Sequence, residues 1–380
     1  MAALSTAQTI VCVVGTRPEV IKMFPVIDAL RASGIETRLI NTGQHQELSR
    51  DAFDTFGLVP DVDLAVMTAA QTPAKVASLV LDRLSPVLDQ VNPSWLVVQG
   101  DTTTVLAAAI AGAYHQVPVA HVEAGLRSYR LDQPFPEEIN RRAVSAIASL
   151  HFAPTASAVA ALHREGVADD QILLTGNTVI DSLRWACDHL PDRPVDPVLS
   201  TIDPARPMVL LTTHRRENFG LGLADIFHAV RQITELRPEV QFLFPVHPNP
   251  TVRAEVDRWL GANRSIITTE PLAYFDMAWA LQHCSLVLTD SGGLQEEAPA
   301  LGKQVLVLRE VTERPEAIEV GMAQLVGTDP DRIIPAVLGA IDCPRQNRSS
   351  PYGDGLAGQR IAAALQGLPV EAFAAMAGAV

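Results

Sequence analysis

The run Thr9-Ile10-Val11-Cys12-Val13-Val14, stopped by Gly15 and followed from Pro18 by a helical pattern reaching about Ala32, decides the fold class. Its apolar residues are continuous and mostly β-branched, so both faces of the strand are buried, and a proline suits the first turn of the helix that follows. The same unit then recurs. Glu36–Asn41, Trp95–Gln99, Val117–Val122, Leu150–Ala153 and Ile172–Leu174 read as strands, and an Ala-rich helix begins at about Thr103. Such strands, separated by helices, form a parallel sheet covered on both faces.

The pattern breaks where Pro191, Pro194, Pro197, Pro204 and Pro207 crowd one stretch, which excludes regular helix and central strand there. A second alternation starts at Met208–Thr212 and continues through Val240–Pro245, Ser265–Thr268, Leu286–Thr289 and Val305–Leu308. The chain has 380 residues, more than the roughly 250–300 that one core absorbs. Two doubly wound parallel-sheet α/β domains are therefore expected, 1–176 and 177–359, with the junction at Thr175-Gly176-Asn177. A C-terminal helix at about 360–380 is expected to pack back on the first domain. The domains should face each other across a central cleft, with the carboxyl ends of their strands pointing into it.

Composition narrows the function. Hydrophobic residues make up 48% and charged residues 19%, which excludes disorder and coiled coil. The net charge of −14 argues against a nucleic-acid or membrane-surface partner, while a small anion needs only local positive groups. Four scattered cysteines, Cys12, Cys187, Cys284 and Cys343, suit neither a disulfide framework nor a zinc site. With no charged start ahead of the first apolar run and no span of roughly 20 apolar residues, a soluble cytoplasmic protein is expected. The first turn lacks G-x-G-x-x-G and no P-loop motif occurs, so neither bound NAD nor a P-loop ATPase is expected. No His-x-x-x-His or Asp-x-Asp pair offers metal ligands, so no metal and no cofactor is expected.

Open α/β sheets bind ligands beyond the carboxyl ends of their strands. There the first half carries Gly15-Thr16-Arg17-Pro18-Glu19, Gly100-Asp101-Thr102-Thr103-Thr104 and His121-Val122-Glu123-Ala124-Gly125-Leu126-Arg127. The second half carries Thr213-His214-Arg215-Arg216-Glu217, Pro245-Val246-His247-Pro248 and Asp290-Ser291-Gly292-Gly293. Each strand-end Asp or Thr has a plain reading as a helix N-cap. Six polar ends converging on one crevice favour a ligand site. The Gly292-Gly293 turn ahead of a helix suits an anion, and Gly15-Thr16-Arg17 reads as a second phosphate cradle with Lys22 one turn further on. Two cradles point to a pyrophosphate, hence a nucleotide or nucleotide sugar. Asp101, Glu123, Glu137 and Glu138 are candidate acids and bases, and His214 could serve a departing phosphate oxygen. Glu138 also reads simply as a salt-bridge partner of Arg141 or Arg142.

These motifs resemble the non-hydrolysing UDP-N-acetylglucosamine 2-epimerases. Lys22-Met23, Pro136-Glu137-Glu138, Asn140-Arg141, Thr175-Gly176-Asn177-Thr178-Val179-Ile180-Asp181, Gln295-Glu296-Glu297-Ala298-Pro299, Thr312-Glu313-Arg314-Pro315-Glu316 and Pro351-Tyr352-Gly353-Asp354-Gly355 join the set, in order along nearly the whole chain. The resemblance implies Rossmann-like domains in the glycosyltransferase-B arrangement, a homodimer, and interconversion of UDP-GlcNAc with UDP-ManNAc for polysaccharide synthesis. It gives Asp101, Glu123 and Glu137 to acid–base work at the sugar and His214 to the departing UDP. It gives Arg17, Lys22, Ser291, Gly292, Gly293, Glu297 and Arg314 to the nucleotide. Two departures stand out. Met277 occupies a place where the family often has an aromatic for uracil, and Ala70 stands where Arg is usual in members activated by a second UDP-GlcNAc. Gln44, Arg215 and His247 are compatible with such activation.

The implied chemistry explains the residue types. The C2 proton has no adjacent carbonyl, so breaking the C1–O bond to UDP must first give C1 oxocarbenium character. Loss of the C2 proton then leaves 2-acetamidoglucal, and readdition of UDP with protonation on the other face gives the epimer. The rival readings are a C2 epimerase acting on a modified UDP-amino sugar, a nucleotide-sugar transferase and a non-catalytic sensor.

Overall fold

The computed structural model describes residues 8–43, 46–67, 71–215, 218, 220–261, 263–343 and 349–374, with residues 46–49 described in backbone only. Gln44, Ala70, Arg216 and Glu217 lie outside the described residues. In chain order the first elements are β1 (Thr9–Val14), α1 (Arg17–Ala32), β2 (Glu36–Asn41), α2 (Gln46–Thr55), β3 (Val62–Asp63), α3 (Pro73–Val91) and β4 (Trp95–Gln99). They continue with α4 (Thr103–Tyr114), β5 (Val119–Val122), α5 (Glu137–Ile147), β6 (Leu150–Ala153), α6 (Ala156–Arg164), β7 (Ile172–Leu174) and α7 (Thr178–Asp188). The second series is β8 (Met208–Thr212), α8 (Leu221–Leu236), β9 (Gln241–Pro245), α9 (Pro250–Trp259), β10 (Ile266–Thr269), α10 (Tyr274–His283) and β11 (Leu286–Thr289). It ends with α11 (Gly292–Ala300), β12 (Gln304–Val307), α12 (Glu316–Glu319), β13 (Ala323–Leu325), α13 (Pro330–Ala340) and α14 (Ala357–Leu365).

Two parallel sheets result, as the continuous apolar strands require. One has seven strands in the order β3-β2-β1-β4-β5-β6-β7, the other six in the order β10-β9-β8-β11-β12-β13. β1 runs in register with β2 from Thr9↔Glu36 to Val14↔Asn41 and pairs with β4 on its other side. The strand order therefore reverses between β1 and β4 in one sheet and between β8 and β11 in the other. At such switch points neighbouring loops run to opposite faces and leave a crevice at the strand carboxyl ends. The edge strands β3 and β13, two and three residues long, carry too little periodicity to be read from sequence.

The chain divides into two compact units, one running up to Ser182 and resuming at Gly353, the other spanning Leu183–Tyr352. The division falls inside α7, whose first turns belong to the first unit: the Ser182 hydroxyl donates to the Ile21 carbonyl at 2.5 Å. Also within that unit α14 packs on α1, where a Cβ at Gly358 would come within 2.5 Å of the Pro25 carbonyl oxygen. Each unit has its own core. Val11, Val13, Val98, Val80 and Leu84 fill the first beneath α3 and α4, and Leu211, Phe227, Phe242, Phe244 and Val230 fill the second beneath α8. Truncating a fully buried residue such as Leu84 to Ala costs about 2–5 kcal/mol. No helix among the described residues is long and apolar enough to cross a membrane.

Candidate functional site

In the first unit the polar residues gather at the β1/β4 switch point. Glu123 leaves β5 with φ +64°, a left-handed conformation unusual for a non-glycine residue and found preferentially at functional sites. Its carboxylate is almost fully enclosed by donors. Lys22 Nζ lies 2.6 Å from both oxygens, Asn177 Nδ2 donates at 3.2 Å, and Gln99 Nε2 donates from the end of β4. Gly125 just beyond has φ +92°, and a Cβ there would meet the Ala158 carbonyl oxygen at 2.4 Å, so the strand exit admits only glycine.

Asp101 is held from two directions. Arg141 reaches its Oδ2 through Nη2 at 2.7 Å and Nε at 2.9 Å, and Asn140 Nδ2 donates 2.8 Å to its carbonyl. Arg141 also meets Glu138 at 3.3 Å. Glu138 accepts from the Ser128 and Tyr129 backbone N–H groups as well, so this buried carboxylate is a loop anchor and salt-bridge partner. Glu137, beside it at the start of α5, differs: its Oε2 is buried with no hydrogen-bond partner. A carboxylate oxygen in that state is the kind of group that substrate contact would satisfy.

Beneath these acids sits His121, whose Nε2–H donates 2.7 Å to the Gly100 carbonyl. Burial, partly opposed by that bond, pulls its pKa down to about 4, so the ring is neutral and structural. His151, its partner in register on β6, is likewise drawn to about 4 by burial.

The β1–α1 turn differs from the expected phosphate cradle. The Gly15 and Thr16 N–H groups are occupied by Glu19 Oε2, at 2.6 and 3.2 Å. A Cβ at Gly15 would stand 2.2 Å from Thr42 Oγ1, so this glycine serves close packing. Arg17 pairs with Asp51 at 3.4 Å.

In the second unit the β8/β11 switch point carries a His–carboxylate pair. Asp290 is buried and accepts from the backbone N–H of His214 at 3.0 and 3.1 Å, from that of Arg215 at 3.0 Å and from Asn218 Nδ2 at 2.9 Å. Its Oδ1 also lies 3.1 Å from His214 Nδ1. Burial works to raise the Asp290 pKa, but the bonds and charge of His214 and the backbone donors overcome it, so the carboxyl lies below its ordinary value. An ionised carboxylate only accepts, which assigns the proton to His214 Nδ1 and turns Nε2 away from Asp290.

Ser291, Gly292 and Gly293 open α11 directly after Asp290. A Cβ on Gly292 would stand 3.1 Å from the Arg314 guanidinium, which is therefore laid against the helix start. Glu296 Oε1 at 2.5 Å and Glu313 Oε1 at 2.8 Å fix that guanidinium. Thr312 Oγ1 accepts from the Arg314 N–H at 3.2 Å and is itself tied to Gln295 at 2.6 Å. Glu297 is half-buried one turn into the same helix, and Met277 is half-buried on α10. A helix N-terminus and a guanidinium are both groups that attract an anion, and here Glu296 and Glu313 offset part of that positive charge. Among the described residues no group of three His, Cys, Asp or Glu side chains is set to hold a metal ion.

The structure thus brings Lys22 to Glu123, Arg141 to Asp101, and Arg314 to Ser291-Gly292-Gly293. In the sequence Glu19, Asn177 and Asp290 stand inside longer motifs with no role of their own, and Gln99 stands only as a strand end. Of these Asp290 carried a usable signal in its place directly after the apolar run Leu286–Thr289.

A family model described as UDP-N-acetylglucosamine 2-epimerase matches residues 28–366. The Escherichia coli K12 UDP-N-acetylglucosamine 2-epimerase is 43% identical over 94% of this chain and 98% of its own. A crystal structure of the Neisseria meningitidis UDP-GlcNAc 2-epimerase bound to UDP-GlcNAc superposes with TM-score 0.84 at 36% identity, covering 95% of this chain and 100% of that one. The S. aureus MnaA–UDP co-structure gives TM-score 0.83 at 37% identity over 97% and 100%.

Proposed function

The chain belongs to the UDP-N-acetylglucosamine 2-epimerase family, and from that premise we propose that it interconverts UDP-GlcNAc and UDP-ManNAc by eliminating UDP to 2-acetamidoglucal and adding it back. It is an isomerase; the route and the product are the proposal. The observation that carries it is the Glu123 carboxylate, lifted off β5 at φ +64° and gripped by Lys22, Gln99 and Asn177. The ammonium 2.6 Å from both oxygens and the two amide donors fix the carboxylate in one orientation, and a general base must be held in place before it can meet the proton it removes.

The reaction then divides among the groups described above. Cleavage of the C1–O bond moves electron density to the UDP oxygen, and the cationic Arg314 with the α11 N-terminus stabilises the departing diphosphate. Ser291, Gly292, Gly293 and Glu297 complete the nucleotide site, and the family resemblance gives Arg17 to the nucleotide as well. His214 serves the leaving oxygen as the imidazolium: Asp290 holds the Nδ1 proton, and a second proton on Nε2 is the one donated to the departing oxygen and taken back when UDP re-adds. As positive character grows at C1, the C2–H bond is broken by one of the acids, and the electron pair closes the C1–C2 double bond. Asp101, Glu123 and Glu137 share proton removal and return on opposite faces of C2, and UDP re-adds at C1. The 2.6 Å contacts of Lys22 support its action on Glu123. The same reading carries the family's homodimer, cytoplasmic location and supply of a surface-polysaccharide precursor.

The test is incubation of UDP-GlcNAc with the protein in D₂O, followed by NMR of C2. Deuterium at C2 with a ManNAc signal is the expected result. UDP release that requires an acceptor would make the protein a transferase, and an unchanged spectrum would overturn the enzymatic assignment. Epimerisation confined to a UDP-amino sugar modified at C3 or C6 would redirect the substrate.

A further inference from the structure

Glu19 accepts more hydrogen bonds than a helix start requires. A capping-box glutamate at the third helical position accepts the N-cap N–H, here that of Thr16 at 3.2 Å. Glu19 also accepts Gly15 N–H at 2.6 Å, and its other oxygen takes the Thr102 hydroxyl at 2.7 Å. Thr102 lies on a different element, directly after Asp101 and at the N-cap of α4. Lys22 follows Glu19 by about one turn of α1. One buried carboxyl, 2% exposed, thereby joins the turn that leads to Lys22 with the turn that carries Asp101.

Resting on the function proposed above, we propose that Glu19 is a positioning residue: it latches the β1–α1 turn to the β4–α4 turn and so fixes Lys22 and Asp101 relative to each other. The remaining constraints on that turn converge on the same purpose. His121 holds the Gly100 carbonyl, Asn140 the Asp101 carbonyl, and Arg141 the Asp101 carboxylate. Glu19 is the member of this set that reaches α1. Burial raises its pKa to about 7; the bonds from Thr102, Gly15 and Thr16 oppose the rise, and the Asp101 charge adds to it. A carboxyl kept at that cost is more than helix capping needs, since an exposed cap residue does the same work without desolvation.

The experiment compares turnover, KM and UDP affinity of wild type, Glu19→Ala, Glu19→Gln and Thr102→Val. Loss of the latch misplaces groups that must act together, so Glu19→Ala and Thr102→Val are expected to lower kcat by about tenfold or more, with Kd for UDP within about twofold of wild type. Glu19→Gln can still accept from the turn and bond Thr102, whose hydroxyl rotates, so it restores kcat to within about threefold. The double variant Glu19→Ala/Thr102→Val is expected to be no slower than the slower single variant, because both cut one connection. If Glu19→Ala does not fold, Thr102→Val and Glu19→Gln decide. Unchanged kcat, a loss confined to KM, or losses that multiply in the double variant would overturn the latch. A wild type inert toward UDP-GlcNAc would overturn the function first and the latch with it, a result distinguishable because no variant is involved.

Discussion

Lys22 Nζ stands 2.6 Å from both oxygens of Glu123, with the two side chains 19% and 6% exposed. The pair links α1 to the exit of β5 across 101 positions of sequence. It converts a residue expected at the nucleotide into the partner of a candidate base.

Removing one partner of a shielded ion pair leaves the other desolvated and unpaired. Lys22→Met is therefore expected to cost about 2–4 kcal/mol in urea unfolding and to slow epimerisation at least tenfold. Glu123→Gln is expected to abolish deuterium incorporation at C2 while UDP still binds. The double variant should recover much of the stability and none of the activity. A double variant as unstable as the sum of the single ones would show that the pair is not coupled.

Asp290→Asn keeps the shape of the buried side chain and removes the charge that orients His214. An amide can present N–H instead of oxygen to Nδ1, which favours the wrong tautomer. Turnover is expected to fall by about 10²–10³ with UDP affinity little changed, as when a histidine loses its orienting carboxylate. His214→Asn should then add little further loss in the Asp290→Asn background. Independent, multiplying effects would separate the two residues.

Asp181 predicts a pH dependence of stability. It accepts the Gly358 N–H at 2.7 Å, its Oδ2 is buried without a partner, and burial lifts its pKa to about 7 from the ordinary 3.8. Between those values the folded chain holds a proton that the unfolded chain has released, so the contribution of Asp181 is full below pH 3.8 and is lost as pH rises toward 7. His121 and His151 act oppositely: both fall from 6.5 to about 4, so their contribution is lost as pH drops through that window. Comparing wild type with Asp181→Asn isolates the carboxyl. Their difference in unfolding free energy should fall with rising pH, by at most about 1.4 kcal/mol per unit. A difference that does not change with pH would refute the assignment.

The fold was legible because its strands are buried on both faces and so write themselves as uninterrupted apolar runs; Trp95–Gln99 and Leu286–Thr289 emerge with the bounds read from sequence. Strand ends were legible for the same reason, since a polar residue directly after such a run has left the sheet. What those polar residues bond to was not. Glu19 stands in the sequence only as the end of the Gly15-Thr16-Arg17-Pro18-Glu19 motif and Lys22 as a phosphate-cradle lysine, because one-dimensional spacing says nothing about Thr102 or Glu123, brought close only by the β1–β4–β5 order. A backbone cradle that sequence offers to an anion can also be filled from within, as Glu19 fills that of Gly15 and Thr16.

The packing of α14 on α1 has a consequence for biosynthesis. Gln8 at the start of the first unit donates 2.9 Å to the carbonyl of Leu365, and Arg360 reaches the Thr175 carbonyl at 3.1 Å. A ribosome must therefore translate all of Leu183–Tyr352 before the first unit receives its last helix. The apolar side of α1 waits uncovered for that time, while the later-made unit already has every strand of its sheet. The unit begun first is the last to be completed, and until then its apolar surface on α1 is what is open to misassociation.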